Sequence, residues 1–240
     1  MCGRFALSAM MTDIAEEFST KAEPERMLPV DWNIKPTQDI YIIRQNAQGV
    51  REVSIASWGM IAPWSKTSTE AQRSQSMAIN ARSESVHEKP TFRKAFKSQR
   101  CLVPASGYYE WATALGPYKT KQPFFISRDD GKLISFAGIF DLWQSPEGEI
   151  RESVSIITRD AEGELGTIHN RMPVCMPKDR WEQWLDQTLN NTESITSLMS
   201  LPNPQEHLRF WPVRDLVNSI RNSGPELAEP VALGDSEVLF

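Results

Sequence analysis

Hydrophobic and polar positions alternate in short blocks along this chain rather than in long helical stripes. β-branched and aromatic runs occur at Asp39–Gln45 (with Ile40 and Ile42), Arg51–Trp58, Arg100–Ala105, Pro123–Arg128, Lys132–Phe140, Glu152–Thr158 and Leu208–Val213, and each predicts a strand. Asp129-Asp130-Gly131 carries the turn chemistry of a hairpin between the fourth and fifth of these runs. Ser145-Pro146-Glu147-Gly148 does the same for the fifth and sixth. Strands joined by such short turns pair antiparallel, which excludes a βαβ architecture. Helical spacing is confined to three places. Ile14, Ala15 and Phe18 form one apolar stripe, with Ser8 or Thr12 as candidate N-caps. Phe92 and Phe96 stand i,i+4 within Thr91–Lys97, and Trp181, Trp184 and Leu185 share one side of Lys178–Leu189. The pattern predicts a single α+β domain over residues 1–230, mainly antiparallel. A Gly/Pro-punctuated tail from Gly224 should fray over roughly its last 10–15 residues, with 231–240 outside the domain.

Composition narrows the function classes. The 240 residues are 40% hydrophobic and 24% charged, which is ordinary for a folded domain and excludes a largely disordered chain. No run approaches the ~20 apolar residues of a membrane span, and no apolar segment follows Met1 as in a secretory signal. Three cysteines without a CxxC pair fit a reducing, cytoplasmic setting. Net charge is −5, from 26 basic against 31 acidic residues, so the protein is not coated with cations. The charge is uneven, however: Arg82 to Arg100 carries +4 and the rest of the chain −9. That window is either a solvated helix face or a local surface for a polyanion.

Phosphate-cradling, nucleotide-binding, serine-elbow and zinc-protease motifs are absent, and His169 with Cys175 is too small a set for a zinc site, so neither metal nor cofactor is expected. The start of the chain is chemically richer. With Met1 trimmed, Cys2 would carry a free α-amine of ordinary pKa near 8 beside a thiol near 8.5. Such a 1,2-aminothiol serves either as an N-terminal nucleophile in amide hydrolysis or as a trap for aldehydes, closing to a thiazolidine. Three further residues stand out. Glu110 lies in the aromatic run Gly107-Tyr108-Tyr109-Glu110-Trp111, where desolvation raises a carboxyl pKa and a strand-edge ion pair is the alternative. Period-2 alternation puts Tyr108 and Glu110 on one face, Tyr109 and Trp111 on the other. His169 is a proton-transfer group or a packed histidine, and Asn80 a hydrogen-bonding clamp or a turn residue.

Six segments occur in a fixed order: Met-Cys-Gly-Arg-Phe at the start, Trp32-Asn-Ile-Lys-Pro-Thr37, Trp58-Gly-Met60, Ile79-Asn-Ala-Arg-Ser-Glu84, Arg100 through Trp111, and His169-Asn-Arg-Met-Pro173. This series resembles the SRAP (SOS response-associated peptidase) family, over roughly Cys2 to Pro225. Two departures are a single Trp64 where some relatives carry two tryptophans, and Asn170 where an Asp is common. The resemblance implies a barrel-like antiparallel core flanked by helices. It also implies a protein that crosslinks through Cys2 to abasic sites in single-stranded DNA, with Asn80, Glu110 and His169 as catalytic partners and ancillary lyase and autopeptidase activity. Arg4, Arg82 and Arg171 would grip phosphates, Trp64 would stack on a base, and the protein would act as a cytoplasmic monomer. Two other classes remain open from the residues alone: an N-terminal-nucleophile amidotransferase, and a single-strand binder without enzymatic activity.

Overall fold

A computed structural model describes residues 2–200 and 207–233. Its centre is a closed ring of five strands: β3 (Asp39–Gln45), β4 (Arg51–Trp58), β6 (Arg100–Ala105), β9 (Ile134–Gln144) and β10 (Ile150–Asp160). They pair in the order β10-β4-β3-β6-β9, and a β9–β10 hairpin closes the circle. All contacts are antiparallel except β4–β10, which is parallel with Ser57 opposite Ser153 and Trp58 opposite Val154. The β4–β10 closure is two residue pairs long, and farther along β4 a parallel bridge from Ala22 meets Glu52. Beyond Ile156, β10 exchanges neighbours. The short β5 (Asn80–Arg82) runs parallel beside it with Asn80 opposite Ile156, and β11 (Arg171–Pro173) runs antiparallel with Pro173 opposite Thr158.

A second, antiparallel sheet has the order β12 (Leu208–Pro212), β8 (Pro123–Arg128), β7 (Gly107–Trp111), β1 (Phe5–Leu7), β2 (Asp31–Ile34). It packs on the ring through aromatic edges. Phe5 meets Trp58 at 5.2 Å and Phe136 at 6.1 Å, and Tyr108 meets Phe136 at 5.8 Å. The alternation along β7 holds: Tyr108 faces this main core, whereas Tyr109 joins Ala6, Phe125, Val217 and Leu227 on the outer face. Gly107 permits the close approach of β7 to β8, since a Cβ there would lie 2.3 Å from the Phe125 ring. Gly59, at φ +115°, turns the chain out of β4 where a Cβ would lie 2.3 Å from the Gln75 carbonyl.

Three expectations change. Asp129–Gly131 does turn, with Gly131 at φ +73°, yet β8 and β9 do not pair. Turn residues specify a reversal, not a partner, and here the chain passes from one sheet to the other. Helix α1 (Met11–Phe18) is capped at Met10, whose N–H donates to Asp13, because the Ser8 hydroxyl is bonded to Ser106 at 2.9 Å. The Lys178–Leu189 helix divides into a 3-10 turn (Lys178–Arg180) and the short α4 (Trp181–Leu185). The segment from Gly224 to Pro230 is docked: Leu227 is fully buried, Trp211 Nε1 donates to the Ala228 carbonyl at 2.8 Å, and Val213 bridges Pro230. Residues 234–240 of the expected tail lie outside the described residues. No described helix is long and apolar enough to cross a membrane.

Arg100 corrects the reading of the basic window as one surface. It is 1% exposed, between α3 (Arg93–Ser98) and α4, and donates to the carbonyls of Phe96, Lys97, Trp184, Asp186 and Leu189. It thus satisfies carbonyls at the ends of α3 and α4 and in the segment that follows α4. Burial lowers its pKa to about 10, still far above neutrality, so the cation persists. Arg100→Met should destabilise the fold by about 3 kcal/mol or more, because several carbonyls lose their donors at once. Urea unfolding should show a lower midpoint at unchanged slope, and Arg100→Lys should fall between that variant and the parent protein.

Candidate active site

The pairing of β1 with β7 decides where the N-terminus goes. Phe5 lies opposite Tyr108, Ala6 opposite Gly107, and Tyr109 N–H donates to the Arg4 carbonyl at 2.9 Å. Continuing that register carries residues 3 and 2 alongside Glu110 at the end of β7. Cys2 is therefore fully buried, although residues so near a terminus are ordinarily exposed. Asn80, the first residue of β5, holds it from the ring side: Asn80 Nδ2 donates to the Cys2 carbonyl at 2.8 Å. Asn80 Oδ1 is buried and accepts no hydrogen bond among the described residues, so it is an acceptor with capacity to spare.

Glu110 and His169 come together because the strand end and the histidine loop are laced to each other. Thr113, two residues past β7, donates both its N–H and its hydroxyl to the Ile168 carbonyl, at 2.8 and 3.1 Å. His169 follows directly, its N–H bonded to the Leu165 carbonyl of the 3-10 turn Gly163–Thr167. Its Nε2 stands 4.0 Å from Glu110 Oε1. Its Nδ1 accepts the main-chain N–H of Arg171 at 2.9 Å, so in the neutral ring the proton sits on Nε2, toward Glu110.

Burial governs the electrostatics. Glu110 is 5% exposed, and desolvation pushes its carboxyl up to about 7. Burial lowers the His169 pKa, keeping the imidazole neutral near pH 7. The Cys2 thiol is pushed up by burial, with the Glu110 charge adding to the effect, so it is a thiol rather than a thiolate. One enclosed place thus holds a carboxyl that exchanges its proton near neutrality, a neutral imidazole and a protonated thiol.

The remaining candidates divide. Trp64 is 57% exposed, in the loop before α2 (Ser68–Met77), and Arg82 is exposed at the end of β5. Arg4 is half-buried: its Nη1 donates to Asn33 Oδ1 at 2.7 Å and the Val217 carbonyl at 3.0 Å, and its guanidinium lies 5.9 Å from the Trp111 ring centre. Arg171 is 8% exposed and bonded to Glu84, Asp160 and the Thr158 carbonyl. Both arginines already have partners in the protein. Asn33, read only as part of a motif, proves to be a buried anchor that donates to the Ser219 and Asn222 carbonyls. Sequence offered no signal for Thr113 or for the Glu84–Arg171 pair, whose members are far apart in the chain. A cleft of about 890 Å³ lies elsewhere, and its acidic residues outnumber the three arginines that line it, Arg26, Arg44 and Arg151, which does not favour a polyanion there.

A family model described as SOS response associated peptidase (SRAP) matches residues 1–220. The chain belongs to the SRAP family. Among its relatives, the Bacillus subtilis protein named abasic site processing protein YoqW is 36% identical over 230 residues, covering 95% of this chain and 99% of that one. The chicken protein named abasic site processing protein HMCES is 33% identical over 214 residues, covering 80% of this chain and 62% of its own. The SRAP fold matches a crystal structure of a Bacteroides thetaiotaomicron protein with a TM-score of 0.85 at 27% identity, over 96% of this chain and 100% of that one.

The raised Glu110 pKa makes a prediction about stability in this SRAP chain. A carboxyl whose pKa is higher folded than unfolded stabilises the fold below its unfolded value, near 4.3, and that contribution is lost as pH rises to about 7. Glu110→Gln removes the group that must ionise in a buried site. It should therefore unfold at a higher denaturant concentration than the parent at pH 8 and at nearly the same one at pH 4.5. A structural ion pair would reverse the sign at pH 8.

Proposed function

We propose that this chain is an abasic site processing protein that links covalently to abasic sites in single-stranded DNA through Cys2, once Met1 has been removed. The observation that carries this reading is the enclosed cluster just described. Cys2, which becomes a 1,2-aminothiol once Met1 leaves, is buried with its carbonyl held by Asn80 and a near-neutral carboxyl beside it, and that carboxyl faces an imidazole. Names borne by relatives across nearly the full chain point the same way.

The ring-opened abasic sugar presents an aldehyde. The neutral Cys2 α-amine adds to it, and loss of one water from the resulting carbinolamine leaves an imine. The thiol then adds across the C=N bond, carbon taking sulfur and nitrogen taking the proton, to close a thiazolidine. A protonated thiol suits this order, since the amine attacks first and the sulfur follows within the same residue. Glu110, with its pKa near 7, is suited to protonate the departing hydroxyl and to take a proton back at ring closure. His169, neutral with its proton on Nε2, relays protons between Glu110 and the opened sugar. Asn80 Oδ1 supplies an acceptor for the freed amine or a sugar hydroxyl. The same imine gives a route to strand cleavage by lyase chemistry.

DNA reaches the cluster along the surface bearing Arg82, with Lys89, Arg93, Lys94 and Lys97 exposed beyond it and Trp64 available for base stacking, worth about 1–3 kcal/mol. Arg4 fits a supporting role at the rim, and Arg171 would have to leave two carboxylates to hold a phosphate.

Mass spectrometry of the protein mixed with abasic single-stranded DNA tests the chemistry. The adduct should weigh the sum of the strand and the protein lacking Met1, less one water. A tag left ahead of Cys2 should abolish it. Cys2→Ser retains the amine, so it should give a borohydride-trapped product but little heat-stable complex. Equal heat-stable yields from Cys2→Ser and the parent protein would remove sulfur from the scheme. Glu110→Gln should crosslink about 10²–10⁴-fold more slowly while remaining folded. Affinity for undamaged single strands should fall with salt at a slope of about 0.7 per phosphate contacted. Arg82→Glu should weaken that affinity and flatten the slope, whereas an unchanged titration would rule out this surface.

A further inference from the structure

Glu84 and Arg171 are joined fork to fork: Arg171 Nη1 meets Glu84 Oε1 at 2.7 Å and Nη2 meets Oε2 at 3.1 Å. The guanidinium also reaches Asp160 at 2.5 Å and the Thr158 carbonyl at 2.7 Å. Two of these partners, Thr158 and Asp160, lie on β10, and Glu84 lies just past β5. Thr158 lies at the centre of the arrangement on β10, with Arg82 of β5 opposite on one side and Pro173 of β11 on the other. Glu84 follows β5 by two residues, and the same Thr158 carbonyl accepts the Ser83 N–H at 2.8 Å. The Glu84–Arg171 pair therefore closes over β10, tying the segment that begins with Asn80 to the segment that carries His169.

Arg171 has a second use. Its main-chain N–H is the donor to His169 Nδ1. An imidazole that moved its proton to Nδ1 would set N–H against N–H there and turn a bare Nε2 toward Glu110. The tautomer thus depends on where the Arg171 backbone stands, and that is held by the β10–β11 ladder, with Arg171 opposite Asp160, and by the guanidinium's partners. The two carboxylates are unequal. Asp160 is 81% exposed and makes a single contact, whereas Glu84 is half-exposed and makes the parallel pair of bonds, which hold its carboxyl below the ordinary range.

We propose that Glu84 is a positioning residue: by clamping the Arg171 side chain across β10, it fixes the Arg171 main-chain N–H on His169 Nδ1 and keeps the Nε2–H form of His169 facing Glu110. Glu84 itself touches no reacting group. Its kinetic consequence rests on the function proposed above; its consequence for the imidazole does not.

The full chain labelled with ¹⁵N-histidine separates the two. His169 is assigned by the signals lost in His169→Gln. In the parent protein its Nδ1 should resonate as a bare, pyridine-type nitrogen and its Nε2 as a protonated, pyrrole-type one. Glu84→Gln keeps the shape but loses the charge and one of the paired bonds, so both nitrogens should move toward averaged shifts. Crosslinking to abasic single strands should slow about tenfold, with affinity for undamaged strands within twofold of the parent. Asp160→Asn should leave spectrum and rate unchanged, and Glu84→Asp should recover part of each. A Glu84→Gln protein with the parent's tautomer, whatever its rate, would overturn the proposal, as would an Asp160→Asn protein equally perturbed. If the parent makes no adduct with abasic DNA, the proposed function fails while the spectra still decide the role of Glu84.

Discussion

Pairing of β1 with β7 is the contact on which the rest of the molecule depends. It is only a few residues long, yet it draws the second residue of the chain into a core where water is excluded. Fixing a chain end costs about 1–2 kcal/mol of backbone entropy per residue. Burial of Phe5 against Trp58 and Phe136 offsets this. Asn80 and the β7 main chain then take up hydrogen bonds of residues 2 and 4. A terminus held in this way is a tool of fixed geometry.

The same burial sets the chemistry. A single cause, loss of solvation, pushes the Glu110 carboxyl up and the His169 imidazole down and keeps the Cys2 sulfur protonated. These shifts are unfavourable for stability wherever the groups ionise, and proteins retain such arrangements where reactivity needs them. The closed five-stranded ring supplies the rigidity to hold them. β10 serves as the common rail, presenting β5 with Asn80 and β11 with its preceding histidine loop from one strand.

Cationic residues in this fold do two different jobs. Arg100 and Arg171 are buried and spend their donors on carbonyls and carboxylates, whereas Arg82, Arg93, Lys94 and Lys97 are exposed. A charge count along the chain cannot separate them, because solvent contact is a property of the packed molecule. The +4 window therefore overstates the surface available to a polyanion by its last member.

Long strands were legible from the sequence, since β3, β4, β6 and β8 carry their own apolar and β-branched signal and end where it ends. So was the face alternation of β7, which follows from the geometry of any extended strand. The set Cys2, Asn80, Glu110 and His169 was legible as a group of reactive residue types in ordered motifs, though not as neighbours. Short elements such as β1, β2, β5 and β11 escaped notice because three or four residues hold no periodicity. The polar α2 escaped because it buries only Ala71 and Gln75. Partner choice was decided by tertiary structure alone: that β8 turns away from β9 into another sheet, that β4 meets β10 in parallel, and that Glu84 finds Arg171 across β10. Local sequence determines what a segment prefers to be. Which segments meet depends on the burial and hydrogen bonding of the whole molecule, and those terms exist only once the chain has closed on itself.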